Sequence, residues 1–277
     1  MASILGRARL DPFLRTRLRG HRRVILVILS RLKTSFVVAH TRTSSKARLE
    51  DRQSAPATEA VEDYAKAIYA LELHHEGPVT TSALAERLGV APSSVTAMVK
   101  RLDELDLVRY EPYHGVTLTD PGRHVALEVI RHHRLIEAFL AESLEMPWDR
   151  VHDEAEVLEH YISEELEDRI AERLGNPAAD PHGDPIPTPE LDLAADRTIA
   201  LSELERGRRA TFARVSDSNP EMLRYLAERG IRPGISLRAL SAEPFGGPLV
   251  VEAGGREHAL GAELADKMRV ELEEPRR

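Results

Sequence analysis

From Val61 the apolar residues Tyr64, Ile68, Leu71 and Leu73 recur at mostly three- and four-residue intervals, the period of one face of an α-helix. Gly77-Pro78 ends that run. Thr80, Thr81 or Ser82 can cap a second helix carrying Leu84, Ala85 and Leu88 and closing at Gly89. Pro92 then fits the first turn of a third helix, whose face is Val95, Val99, Leu102 and Leu105. Two short alternating runs, Val108–Tyr110 and Val116–Leu118, flank Pro112-Tyr113-His114-Gly115 and predict a β-hairpin. Thr119 or Asp120 caps a long helix through Val125, Leu127, Ile130, Leu135 and Phe139. A further helix is expected from about Trp148 to Leu174, with Val151, Ala155, Leu158, Ile162, Leu166 and Ile170 as its stripe.

The pattern changes towards the C-terminus. Residues 175–197 are rich in Pro, Asp and Gly and read as a linker. Beyond them, strand-like runs at Arg209–Val215, Ser236–Ala239, Leu249–Val251 and Met268–Leu272 surround one helix at Pro220–Glu228, which predicts a small β-barrel. Residues 51–60 (DRQSAPATEA) also read as linker. The fold class is mostly α with a small β C-terminal domain. The expected division is a basic, disordered extension over 1–57, a domain of three helices and a hairpin over 58–120, a helical domain over 121–190 and the β domain over 198–274.

Composition adjusts this picture at three points. The chain has 277 residues and no cysteine, which excludes disulfides, thiolate ligands and thiol nucleophiles. Its longest early apolar run, Val24–Leu29, is far short of the ~20 residues that span a bilayer, so no membrane partner is expected, and the lack of cysteine fits the reducing cytoplasm in which the chain is expected. Net charge is −8, unevenly distributed: residues 1–57 carry +10 and the remainder −18. So acidic a body needs a local basic patch or bound cations to meet DNA, and its excess carboxylate suits a divalent-metal protein as well as an ordinary acidic surface.

Three short helices followed by a hairpin form a winged helix-turn-helix, whose second motif helix enters the major groove by its N-terminal end. That end places Ser93, Ser94 and Thr96 for phosphate and base-edge contacts, with Lys100 and Arg101 farther along for phosphates. Thr81 and Ser82 open the preceding helix, whose N–H groups can also meet a phosphate. A purely structural helical trio is the competing reading.

In VHDEAEVLEHY, Glu156, Glu159 and His160 stand at i, i+3 and i+4, which puts all three on one helical face. His133 and Glu137 are an i, i+4 pair on the long helix, His152 precedes Glu156 by one turn, and Asp63 lies on the first helix. Carboxylates and imidazoles so placed suit a divalent first-row metal. A solvated face with ion pairs is the plainer reading of the spacing alone. Catalytic zinc is weaker still, because there is no His-Glu-x-x-His and nothing marks an open ligand position.

EDYAKAIYALE, APSSVTAMVKRLDELDLV, GVTLTDPGR, RHHRLIEAFL and VHDEAEVLEHYISEELEDRI resemble the diphtheria toxin repressor and manganese transport regulator family over about residues 59–273. HGDPIP at 182–187 resembles the segment that leaves that family's dimerisation domain. The resemblance implies a winged helix domain, a helical dimerisation and metal-binding domain, and an SH3-like domain of the FeoA type. It implies a metal site of Asp63, Glu156, Glu159, His160 and His133. It also implies an auxiliary site involving Glu137, His152, Asp180, His182 and Asp217. Iron-responsive members carry methionine and cysteine at the places of Asp63 and Glu156, so hard oxygen there implies Mn²⁺, with Fe²⁺ as the alternative. Lys66 stands where one manganese regulator has the second glutamate of a binuclear site. Asn219 and Met222 fall near the third-domain ligands of iron-type members and match them poorly.

The expected protein is therefore a homodimeric, metal-dependent repressor of metal-homeostasis genes that binds double-stranded operator DNA. It has no catalytic residues and no small-molecule substrate. A metal-binding accessory protein or a metalloenzyme is the alternative from another class.

Overall fold

The computed structural model describes residues 47–73 and 77–273, and most of the extension expected over 1–57 lies outside the described residues. The chain forms two compact units, Met1–Ala126 and Leu127–Arg277.

In the first unit, α1 (Ala47–Glu72) is followed by α2 (Thr81–Leu88), α3 (Pro92–Glu104) and the antiparallel strands β1 (Val108–Glu111) and β2 (Gly115–Leu118). The expected linker at 51–60 is instead the N-terminal half of α1. Ala, Arg, Leu, Glu and Gln before Pro56 are strong helix formers, and extending an established helix is far easier than nucleating one. Thr80 is the cap of α2, its side chain accepting from the Ala83 amide at 3.1 Å. Val61, Ile68, Leu84, Val95, Val99, Leu102, Leu107 and Val116 form the core beneath these elements. The expected helix-turn-helix and wing are thus present in order.

The long helix α4 (Asp120–Leu144) begins with Thr119 Oγ1 accepting from the Gly122 amide. The single helix expected over 148–174 is two helices, α5 (Val151–Leu158) and α6 (Glu164–Arg173). Ser163 caps α6 by accepting from the Leu166 amide, and Glu164, Glu165 and Glu167 fill its first turn, where carboxylates meet the positive end of the helix dipole. The stripe breaks accordingly: Val151, Ala155 and Ile170 are buried, whereas Leu158 and Leu166 are exposed.

The second unit ends in a six-stranded antiparallel sheet, ordered β3 (Ile199–Ala200), β8 (Met268–Leu272), β4 (Arg209–Val215), β5 (Ser236–Ala242), β6 (Leu249–Ala253) and β7 (Arg256–Leu260). Helices α7 (Pro220–Glu228) and α8 (Ala262–Lys267) complete this SH3-like domain. The sequence pattern missed β3, only two residues long, and β7, whose polar Arg-Glu-His lacks an apolar alternation. Phe212, Leu223, Leu226, Leu237, Val251, Leu260 and Val270 fill the core, each worth roughly 1.5–3 kcal/mol of transfer free energy. Trp148, which precedes α5, is buried in the same core.

The 175–197 segment has no helix or strand, but it is packed. His182 O accepts from the Val215 amide at 3.0 Å. Gly183 lies so close to β4 that a Cβ there would be 1.9 Å from Ala213 O. Arg214 on β4 pairs with Asp184 at 2.9 Å and also with Asp196.

Candidate metal centre and nucleic-acid interface

The second unit gathers nine of the ten expected metal residues. On α4, His133 and Glu137 lie one turn apart, with Nε2 3.1 Å from Glu137 Oε1. His133 Nδ1 faces the other way, 2.5 Å from Glu159 Oε2 and 3.8 Å from Glu156 Oε1. One imidazole thus serves two groups of ligands. Glu159 and His160 follow the last residue of α5 rather than lying within it, yet Glu159 keeps helical dihedrals and donates its amide to Ala155 O, which preserves the i, i+3 relation to Glu156. His160 Nε2 is 3.7 Å from Glu159 Oε1. Among these, the Glu156 side chain is 42% exposed and Glu159 is buried.

The second group centres on Glu137. His152 Nδ1 is 3.4 Å from Glu137 Oε1 and 3.0 Å from Asp217 Oδ2, and His133 Nε2 is 3.2 Å from the same His152 nitrogen. On the other side, His182 Nδ1 is 3.6 Å from Glu137 Oε2 and 3.9 Å from Asp180 Oδ1. His182 Nε2 donates to the Trp148 carbonyl at 2.7 Å, which leaves Nδ1 as the lone-pair nitrogen of the neutral ring. Among the described residues, Glu137 Oε2 and His182 Nδ1 are buried with no hydrogen-bond partner. Two orphaned ligand atoms, separated by more than a hydrogen bond and supported by a carbonyl-anchored imidazole, fit a bound cation.

Charge is balanced here by protons. Burial pushes Glu137 up, but the hydrogen bonds with His133 and His152 and the adjacent imidazole charge outweigh it and hold the carboxyl far below the usual range. Hydrogen bonds to Asp217 and Glu137 raise His152 to about 10. Burial lowers His182, and the neighbouring Glu137 and Asp180 charges overcome it, bringing the ring to about 9. Asp180 is raised well above the normal aspartate range by burial and by the neighbouring Glu137 and Asp184 charges. A divalent ion binding here would displace the imidazole protons.

Sequence reasoning missed the Trp148 carbonyl, because a backbone acceptor leaves no residue signature. It also missed Arg134, which donates to Pro185 O at 2.5 Å and lies 3.8 Å from Asp180. Asn219 is a helix cap, accepting from the amides of Glu221 and Met222, which explains why it matches no ligand. Met222 packs partly buried against the C-terminal core. Asp63 stands half-buried on α1 in the first unit.

On α3, Ser93, Ser94 and Lys100 are exposed, and Thr96 and Arg101 are half-buried. Thr96 Oγ1 donates to Pro92 O at 3.0 Å, so its hydroxyl is bound to the helix backbone. On α2, Thr81 is half-buried and Ser82 exposed. Among the described residues no helix is long and apolar enough to cross a membrane.

Three family models match: "Iron dependent repressor, N-terminal DNA binding domain" over 57–116, "Iron dependent repressor, metal binding and dimerisation domain" over 119–188, and the FeoA domain over 199–272. An HTH-type transcriptional regulator of Methanocaldococcus jannaschii is 39% identical over 108 residues, 39% of this chain and 86% of its own length. The HTH-type transcriptional regulator MntR of Oceanobacillus iheyensis is 39% identical over 106 residues, 38% of this chain and 71% of its own. A solved manganese-dependent transcriptional repressor in complex with manganese superposes with a TM-score of 0.71 at 40% identity, covering 76% of this chain and 99% of that one. With both repressor domains and the FeoA domain matched in order, the chain belongs to the diphtheria toxin repressor and manganese transport regulator family of metal-dependent, DNA-binding repressors.

Proposed function

We propose that the chain is a Mn²⁺-dependent repressor of metal-homeostasis genes that binds operator DNA as a homodimer. The observation that carries the metal assignment is the ligand set. Every candidate group is a carboxylate or an imidazole, and two of the buried ligand atoms, Glu137 Oε2 and His182 Nδ1, have no partner. Oxygen-rich sets suit Mn²⁺, and with no cysteine the chain offers no thiolate to softer ions. A bound divalent ion would supply two positive charges and a fixed point to which several side chains converge.

The chain's own residues do the rest. Glu156, Glu159, His160 and His133 form the outer set. The resemblance adds Asp63 to it, a membership that rests on sequence and needs its own mutant. Glu137, Asp180, His182, His152 and Asp217 form the inner set, drawn from α4, the linker, α5 and the turn after β4. Ser93, Ser94, Thr96, Lys100 and Arg101, with Thr81 and Ser82, meet the duplex. Val157, Leu158, Tyr161 and Leu166 are apolar or aromatic yet 43–69% exposed, and this surface of α5, the turn and α6 supports self-association.

A duplex selected from a random library by the Mn²⁺-loaded full chain gives the test. Binding should require Mn²⁺, be reversed by EDTA and be supported less well by Zn²⁺. Equal binding in EDTA would defeat the proposal, and a lower requirement for Fe²⁺ under anaerobic conditions would transfer it to iron.

A further inference from the structure

The wing ends in a residue that its backbone does not favour. Glu111, Pro112, Tyr113 and His114 form a four-residue turn, with the His114 amide donating to Glu111 O at 3.0 Å. Proline at the second position and φ of +68° at the third match a type II turn, whose third residue is normally glycine or asparagine. Tyrosine there is strained by an amount on the order of 1 kcal/mol. Its side chain gains nothing from the fold, since Tyr113 is 105% exposed. A large aromatic in a strained position with no packing is costly for stability, which points to a contact outside the chain.

The hairpin beneath it is rigid. Val79 and Val116 exchange both backbone hydrogen bonds, at 2.8 and 2.9 Å. Gly115 sits at φ +116°, where a Cβ would come within 2.8 Å of Val79 O. The Glu72 carboxylate accepts from the Leu118 amide, and Asp103 Oδ1 from the Tyr110 amide. Asp103 belongs to α3, so the wing is tied directly to the helix assigned to the major groove.

We propose that Tyr113 is a DNA-contacting residue whose ring packs against the deoxyribose edges of the minor groove flanking the α3 contact. The proposal rests on α3 being the DNA-reading helix. A groove about 6 Å wide admits a flat ring, and its sugar walls offer an apolar surface in every sequence. The nearby charges do not make a phosphate site: Arg109 is paired with Asp106 at 2.7 Å, and Glu111 lies at the turn. The contact therefore adds affinity without adding to counterion release.

The test compares wild type, Tyr113→Gly and Tyr113→Phe as full chains with Mn²⁺, on the duplex selected by the wild type. Tyr113→Gly should bind about tenfold more weakly, with a salt dependence parallel to the wild type's. It should also lose hydroxyl-radical protection of the minor groove beside the core footprint. Its melting temperature should be equal or higher, because glycine relieves the turn, so the loss cannot come from unfolding. Tyr113→Phe should retain wild-type affinity within about twofold, since the ring makes the contact. Wild-type affinity and an intact flanking footprint in Tyr113→Gly would overturn the proposal, as would a Tyr113→Phe loss equal to that of glycine. Failure of the wild type to select any Mn²⁺-dependent duplex would instead overturn the underlying functional reading.

Discussion

Two groups of ligands meet at His133, and they differ in their access to water. In the outer group the Glu156 side chain is 42% exposed. In the inner group the side chains of Glu137, Asp180 and His182 are 1%, 3% and 0% exposed, although His152 and Asp217 remain half-exposed. An ion in the inner group must shed most of its water and displace protons from rings raised to about 9 and 10. An ion in the outer group meets solvent at Glu156. The contrast teaches that one shared imidazole can border both a buried set and a solvent-open set of candidate ligands, with the linker and the turn after β4 contributing only to the buried one.

The largest effect is expected from Glu159→Ala. Removing a buried oxygen ligand of the outer group should raise the Mn²⁺ concentration for half-maximal DNA binding by about a hundredfold or more, above the roughly 10–100-fold that losing a residue supporting a ligand costs. Gel retardation across a Mn²⁺ series measures it, and an unchanged midpoint would remove Glu159 from the site.

His182→Ala should act on the inner group. Saturating Mn²⁺ at about a hundred times its dissociation constant stabilises a folded protein by ~2.7 kcal/mol per site. The variant should lose a contribution of about that size in thermal melts with Mn²⁺, while its DNA-binding midpoint moves by about tenfold or less. The reverse pattern would exchange the roles of the two groups.

Acidity sharpens the same comparison. Each displaced proton makes Mn²⁺ binding up to about tenfold tighter per pH unit below the relevant pKa. Inner-group affinity, followed by isothermal titration, should therefore rise from pH 6 to pH 9 more steeply than outer-group affinity. In the metal-free protein the sign reverses. His152 and His182 have folded pKa values above the unfolded 6.5, so their stabilising effect is complete below pH 6.5 and is lost as pH rises through about 9 and 10. Denaturant unfolding in EDTA should show lower stability at pH 10 than at pH 7.

The smallest effect is expected from Lys100→Ala. Losing one phosphate contact should weaken DNA binding severalfold, lower the salt slope by about 1 and leave Mn²⁺ affinity intact. An unchanged slope would place Lys100 away from phosphate.

How far the sequence reveals these features depends on whether they are local. The helix-turn-helix is legible because Thr80, Gly89 and Pro92 mark helix ends within a few residues of the apolar stripes they bound. Glu156, Glu159 and His160 are legible as a spacing, and survive the unexpected end of α5 because Glu159 retains helical dihedrals. The break itself was signalled by Ser163 and the three glutamates after it, but the apolar period at Ile162 and Leu166 masked it. Leu158 and Leu166 belong to the exposed surface, and an exposed apolar residue looks the same in sequence as one facing a core. The inner group is the least legible. Glu137, Asp180, His182 and Asp217 come from segments up to eighty residues apart, and the acceptor that orients His182 is a backbone carbonyl. Only the family resemblance brought those residues together beforehand. No apolar period marks β7, and at the start of α1 helix-forming composition is the sole signal, set against Ser54 and Pro56.

One measurement separates the two groups directly. Trp148 is the only tryptophan in the chain and its ring stacks on His182 at 5.8 Å, so its emission reports the inner group. Titrating Mn²⁺ into the full chain with a labelled duplex, and recording Trp148 emission and duplex anisotropy together, follows both groups at once. In wild type both signals should change. In His160→Ala the emission change should persist while the anisotropy rise disappears. Loss of the emission change with an intact anisotropy rise, or wild-type behaviour of both signals, would contradict the assignment of DNA-binding control to the outer group.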